Sequence, residues 1–130
     1  MAGAPPAVLA NVPLFSGLKP RELSRIASAM KERRYSAGET ITVEGEEGIG
    51  FFVIESGKAA VSVGGDEKRT IGPGDYFGEV ALLAGTRRTA TITAEEDLTS
   101  WGLTSWAFRP IVEENPTIAW ELLQAVAKLL

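Results

Sequence analysis

The chain contains no cysteine and no histidine. Without cysteine, disulfides and thiolate metal sites are excluded and the redox compartment is left unmarked. Without histidine, the usual general base and the commonest transition-metal ligand are missing. A small β-roll oxygenase needs a cluster of histidines with a carboxylate, so that enzyme class is set aside. No catalytic residue, metal ligand or cofactor is assigned, and a binding module is expected. An excess of positive charge is lacking too: 13 Lys and Arg stand against 17 Asp and Glu, for a net charge of −4. That balance disfavours a general nucleic-acid or anionic-membrane surface, so any bound anion must be held by local features. No apolar run approaches a membrane span. Met1 to Ala10 lacks the basic segment and apolar run of a secretory signal. A soluble, cytoplasmic domain is the expectation.

What is present is globular. At 130 residues with 45% apolar and 23% charged side chains, the chain is expected to be one domain with a real core. Residues 1–10 read as a loose lead-in, Met1 to Ala7 being rich in alanine, proline and glycine. Residues 11–32 read as an N-terminal helical segment. Within it, Leu23, Ile26, Ala27 and Met30 recur at helical spacing, predicting a helix over Pro20 to Lys31 with proline in its first turn. From Glu32 the period changes to two and glycines punctuate short β-rich runs. Strands are predicted at 33–35, 40–43, 50–55, 58–63, 68–71, 89–94 and 97–104, a rhythm that indicates a sandwich or barrel over residues 33–104. Residues 105–130 return to a helical pattern. Ser105 is a candidate cap, a second short piece begins at Pro110, and Asn115-Pro116 opens a final helix. Ile118, Leu122, Ala125 and Leu129 form one apolar stripe of that helix, and Ala119, Leu123, Val126 and Leu130 an adjacent one. So wide a stripe predicts a helix that continues or packs against a partner.

The most informative stretch runs from Phe77 to Ala90. Gly78 permits a tight turn and close backbone approach. Glu79-Val80-Ala81-Leu82-Leu83 suits a short helix whose first N–H groups can meet an anion. Arg87 and Arg88 then lead into a strand, where only one of them can face inward. An inward guanidinium in an apolar roll needs an anionic partner, and a phosphate would satisfy it. Each part also has a plainer explanation. The helical turn could merely cover one end of the roll, and the arginine pair could be a solvated face. Arg88 could pair internally with Glu79, and Glu79 could simply favour a helix N-terminus. Beside a phosphate, though, Glu79 is best used on a neutral hydroxyl such as a ribose 2′-OH.

Taken together, Phe77-Gly78-Glu79, the apolar run Val80 to Leu83, the loop Ala84 to Arg87 and Arg88-Thr89-Ala90 resemble the phosphate-binding cassette of cyclic nucleotide-binding domains. Such domains occur in the catabolite activator protein family, cyclic-nucleotide-dependent kinases and pacemaker channels. The resemblance extends along most of the chain, through Leu14 to Leu18, Ala37 to Ile41, Glu44-Gly45-Glu46, Phe51 to Gly57, Gly72 to Tyr76 and Asn115-Pro116. It implies a mainly β fold: a double-stranded β-helix, or jelly-roll-like β-roll, with an N-terminal helix, a short cassette helix and C-terminal helices. It also implies that Arg88 binds the cyclic phosphate and Glu79 the ribose 2′-OH. Backbone groups of Gly78, Val80, Ala81 and Thr89 would complete the cradle, and Val61, Ile71 and Phe77 would line the purine end. Val61 and Ile71 could also be plain core. Arg87 stands where many members have proline, although some close this loop with two arginines. The implied ligand is cyclic AMP before cyclic GMP, although a Thr89 hydroxyl could bond a guanine amino group. In the family a C-terminal helix covers the base and passes the signal on. Here helix 116–130 is the expected contact to an effector domain or a second copy, with lid residues expected beyond Leu130. A degenerate roll that binds no nucleotide is the alternative.

Overall fold

Glycines and short polar turns divide the central sequence into segments too brief to fold alone, and pairing with distant segments gives each its place. The computed structural model describes residues 3–46, 50–84 and 87–130, with the side chain of Val80 also outside this set. Eight strands are found among them: β1 Lys31–Tyr35, β2 Thr40–Thr42, β3 Gly50–Ser56, β4 Ala59–Val63, β5 Asp66–Ile71, β6 Tyr76–Phe77, β7 Thr91–Ala94 and β8 Leu98–Thr104. They build two antiparallel sheets, ordered β1-β8-β3-β6 and β2-β7-β4-β5. Four helices flank them: α1 Pro20–Ala27, α2 Glu79–Ala84, α3 Ser105–Glu114 and α4 Pro116–Leu129.

Strand alternation makes two cores. Phe51, Val53 and Leu103 leave the first sheet on its outer side and meet Phe15, Ile26, Phe108, Ile118 and Leu122 from the helical segments. Phe15 anchors this cluster, edge-on to Phe51 at 5.8 Å and to Phe108 at 6.2 Å between ring centroids. Ile54 and Leu98 point the opposite way and join Ala59, Val61, Ile71, Ile92 and Ala94 inside the roll. The mainly β roll with flanking helices is as the sequence implies.

Several boundaries differ for physical reasons. The lead-in is not loose from Ala4 onward. Ala4 is buried and donates its N–H to Ala27 O at 2.9 Å, and Pro6–Leu9 forms a 3-10 turn that buries Leu9 completely. Helix α1 stops at Ala27, short of Lys31, and the Ser28 hydroxyl closes its end on Arg25 O. Lys31 and Glu32 are claimed instead by pairing with Gly102 and Trp101 in β8, so tertiary pairing overrides helical periodicity. Strand β7 starts at Thr91, two residues late, and β6 is too short to show a period. Helix α3 is one piece, with Pro110 inside it. Pro110 is exposed, so water can take the carbonyl it leaves unpaired. Its N-cap is Thr104, whose Oγ1 accepts from Ala107 N at 3.3 Å, and Ser105 is the first helical residue. Asn115 occupies the N-cap position of α4, but its Nδ2 donates backward to Ile111 O at 2.6 Å. On α4, Ile118, Leu122 and Ala125 are buried, whereas Leu129 is exposed with Trp120, Leu123 and Leu130.

Candidate functional site

At one end of the roll the inward face of the second sheet stays open. A cleft of about 480 Å³ lies there, lined by Val61, Ile71, Phe77, Gly78, Glu79, Ala81, Arg88 and Thr89, with Thr42, Arg69, Asp75, Tyr76, Arg87, Ala90 and Ile92 around them. Eight of the nine sequence-implied site residues therefore share one concavity. The ninth, Val80, belongs to α2, but its side chain lies outside the described set, as do Gly85 and Thr86 of the cassette loop.

Local geometry fixes the cassette. The turn 72–75 closes on itself through Asp75 N to Gly72 O and docks on β3 through two backbone bonds, Ile54 N to Asp75 O and Gly74 N to Ile54 O. The Asp75 carboxylate accepts from Gly72 N at 2.8 Å, so this side chain serves the turn. Tyr76 and Phe77 then pair with Val53 and Phe52, and the Phe77 ring stacks on Phe52 at 5.1 Å. Gly78 follows with φ +87°, a left-handed conformation open to glycine. A Cβ here would collide with Arg88 Nη1 and Gly50 O. Glycine thus both makes the turn and clears the path of the Arg88 guanidinium.

Arg88 is held at both ends. Its N–H donates to Glu46 O at 2.7 Å and its carbonyl accepts from Gly45 N at 2.9 Å, tying it to the β2–β3 connection. Its Nη2 donates to Gly50 O at 2.7 Å. The side chain is half-buried, and this burial pulls its pKa below arginine's ordinary value. Among the described residues no carboxylate pairs with it, and the Glu79 pairing weighed from the sequence is not formed. The neighbouring Arg87 is exposed and donates from Nη1 to Gly45 O at 2.8 Å. Both arginines precede β7, so strand alternation does not divide them; burial does, Arg87 being exposed and Arg88 half-buried.

Glu79 opens α2 and reaches the cleft half-exposed. Burial raises the Tyr76 pKa first, the Glu79 charge raises it further, and Arg69 opposes. Glu79 and Arg69 therefore both act on the Tyr76 hydroxyl. One expected donor is occupied: Ala81 N–H bonds to Gly78 O at 3.0 Å, because the first turn of α2 tightens on itself. Ala81 then contributes wall. Val61, at 7% exposure, and Ile71, at 3%, are core members and cleft lining together. The sequence reading missed Gly50 O, which no side-chain pattern announces, and Arg69. A signal existed for Arg69, since alternation along β5 puts it on the face of Ile71.

A family model described as "Cyclic nucleotide-binding domain" matches residues 32–115. The cAMP-dependent protein kinase regulatory subunit of Aspergillus niger is 45% identical over 94 residues, covering 71% of this chain. The chain spans only 23% of that relative's length. Among solved structures, the N-terminal domain of a transcriptional regulator from Streptomyces coelicolor A3(2) superposes with a TM-score of 0.86 at 28% identity, covering 93% of this chain and 90% of that one. The regulatory domain of Toxoplasma gondii PKA, co-crystallised with cAMP, gives a TM-score of 0.72 at 32% identity, covering 84% and 43%.

Proposed function

Because the chain belongs to the cyclic nucleotide-binding domain family, we propose that its cleft holds a purine 3′,5′-cyclic nucleotide, cyclic AMP in the first instance, and that the chain is a regulatory sensor and not an enzyme. The observation that carries this reading is Arg88: a half-buried cation without a carboxylate partner among the described residues, fixed against Gly78 and facing a cleft. Burying an unpaired charge is costly, and a phosphate diester monoanion offsets that cost with charge-assisted, paired hydrogen bonds. Glu79 accepts from the ribose 2′-OH, a neutral donor that keeps its carboxylate from opposing the phosphate. Val61, Ile71 and Phe77 give the purine an apolar seat. The cleft volume is within the range of small-molecule sites.

The ligand of the Toxoplasma structure supports cyclic AMP as the first candidate. Signal output runs through α4. Its buried residues Ile118, Leu122 and Ala125 hold it on the helical core, while Trp120 and Leu123, both over 60% exposed, offer an apolar face to an effector domain or a second copy. Ligand shifts that helix only by as much as it binds one helix position better than the other. No helix among the described residues is long and apolar enough to cross a membrane, and a cytoplasmic setting accords with the kinase-type relative.

Calorimetric titration with cyclic AMP and cyclic GMP, using 5′-AMP as the control, tests the proposal. Saturable binding of a cyclic nucleotide but not 5′-AMP is expected. No heat and no thermal shift with either cyclic nucleotide would leave the degenerate interaction domain as the better account.

A further inference from the structure

The inward face of the first sheet carries a second concavity. Cross-strand register sets Phe52 opposite Gly102, and both Arg33 and Ile54 opposite Ser100. Residues directly opposite in an antiparallel pair project to one face, so Arg33 and Phe52 look inward with Ile54, a member of the roll core. Between this face and β2 lies a cleft of about 430 Å³ whose wall includes Arg33, Tyr35, Phe52, Trp106 and Arg88. A Cβ on Gly102 would meet Phe52 Cε2 at 3.1 Å and Arg33 Cγ at 3.3 Å, so ring and arginine stem share the space a side chain would fill. Burial raises the Tyr35 pKa, the Arg33 charge lowers it and Glu39 raises it, so Arg33 lies within electrostatic reach of that ring. Arg33 is exposed and takes part in none of the ion pairs formed among the described residues. Trp106, at 64% exposure, leaves a large ring to water at the mouth. The two clefts touch. Arg88 and Thr42 line both, and of the stacked rings Phe77 lines the first and Phe52 the second. The Arg88 guanidinium divides in the same way: Nη1 lies against Gly78 of the first cleft, while Nη2 donates to Gly50 O on the wall of the second.

The chemistry of these walls selects a ligand. Three aromatic side chains offer stacked and edge contacts to a flat ring. A guanidinium pairs with a carboxylate through two parallel bonds. Among the described residues the walls hold two arginines, Arg33 and Arg88, and one carboxylate, Glu46, a balance that suits a monoanion. The volume is that of a small-molecule site. We propose that this cleft is a second ligand site for an aromatic monocarboxylate, its ring on Phe52 and Trp106 and its carboxylate on Arg33, and that its occupation weakens cyclic nucleotide binding. Two anions on opposite sides of the one Arg88 guanidinium share its charge and repel each other. Linkage makes the effect reciprocal. The site stands on the residues of the second cleft alone, whereas the coupling rests on the cyclic-nucleotide reading of the first.

The probes are 2-naphthoate, benzoate and indole-3-acetate, with 2-naphthamide as the uncharged control. In NMR titrations of the wild-type chain, 2-naphthoate should shift the amides of β1 and β8 and the Trp106 indole N–H. Its dissociation constant should be on the order of a millimolar or tighter. The amide should bind roughly three- to fivefold more weakly, the most that an exposed ion pair gives. Arg33→Gln should lose the same factor for 2-naphthoate and little for the amide, and Trp106→Ala should weaken both. Arg33 and Trp106 are exposed, so both variants should keep the wild-type melting temperature, and without probe their cyclic AMP affinity should be unchanged. Calorimetry then reads the coupling: with rising 2-naphthoate the apparent dissociation constant of cyclic AMP should climb roughly fivefold and level off. A climb without limit would overturn the proposal, since the probe would then occupy the nucleotide cleft itself. No climb would overturn the coupling. The site is overturned if none of the three carboxylates shifts these resonances, or if neither variant weakens 2-naphthoate. Failure of cyclic AMP to bind wild type would sink the cyclic-nucleotide reading, whereas 2-naphthoate binding that depends on Arg33 and Trp106 would still establish the second site.

Discussion

The two ends of the cleft are built differently. At the cassette end, Arg88 is tied through both backbone groups to the β2–β3 connection and through its side chain to Gly50 O, and Gly78, lacking a Cβ, leaves the guanidinium its seat. At the other end, Val61 and Ile71 are core residues, but Arg69 on the edge strand is exposed and makes no ion pair among the described residues. Pre-organisation costs little on binding, because the ordering is already present in the folded chain. An exposed side chain loses rotamer freedom when it engages a ligand, so its net contribution is smaller. The cassette end is therefore pre-organised for an anion, and the opposite rim is not.

Breaking the cassette end should give the largest effects. Arg88→Ala should cost about 2–5 kcal/mol in binding, because it leaves a phosphate in the cleft without its counter-charge. That is roughly thirtyfold to several-thousandfold in dissociation constant, read by calorimetry. The unliganded melting temperature should move little, since the substitution removes a desolvated cation along with one hydrogen bond. A large fall in melting temperature with unchanged affinity would show Arg88 to be structural. Gly78→Ala attacks the same end through the backbone. It forces a Cβ onto a left-handed residue and into Arg88 and Gly50 O. A loss of about 1–3 kcal/mol in stability is expected from the strain, together with most of the binding loss of Arg88→Ala. Full affinity in a stably folded Gly78→Ala protein would show that the guanidinium does not need its present seat.

Glu79 sits between the two ends and sharpens the contrast. Glu79→Ala should weaken cyclic AMP by about 1.5–3 kcal/mol, the range for a hydrogen bond to a charged group. Wild type should lose a similar amount when the ligand is 2′-deoxy cyclic AMP. The variant should lose nothing further with the deoxy ligand, as a double-mutant cycle requires for one shared contact. Additive losses would mean that Glu79 serves the helix or Tyr76 and not the sugar.

How much of this was legible in the sequence follows from the range of each interaction. The strands could be read from period-two runs between glycines, because the core face alternates locally. The ends of β1 and β7 could not, because pairing with β8 and the bonds of Arg88 to Gly45 and Glu46 set them from far along the chain. The side-chain partner of Arg88 is a backbone carbonyl 38 residues away, at a position whose side chain is only hydrogen. No residue pattern encodes such a partner. Arg69 was readable from its alternation with Ile71, yet in isolation it looks like one more charge on an edge strand, where charges normally guard against aggregation. The structure makes it informative by pairing it with Val61 and aligning both on the cleft.

The smallest effect is expected from Arg87. Its guanidinium reaches the cleft margin but is exposed and donates to Gly45 O, a bond that braces the same connection to which Arg88 is tied. Exposed charges act weakly on a ligand through water and salt, so Arg87→Ala should cost less than about 1 kcal/mol in cyclic AMP affinity. The loss should shrink as ionic strength rises, because screening suppresses what Coulomb attraction remains. The Arg88→Ala loss should persist in high salt, since its guanidinium is partly shielded from solvent. Titrations of both variants at low and high salt check this directly. Equal losses at the two positions, with equal salt dependence, would mean that phosphate is held by a diffuse positive margin and not by one half-buried guanidinium.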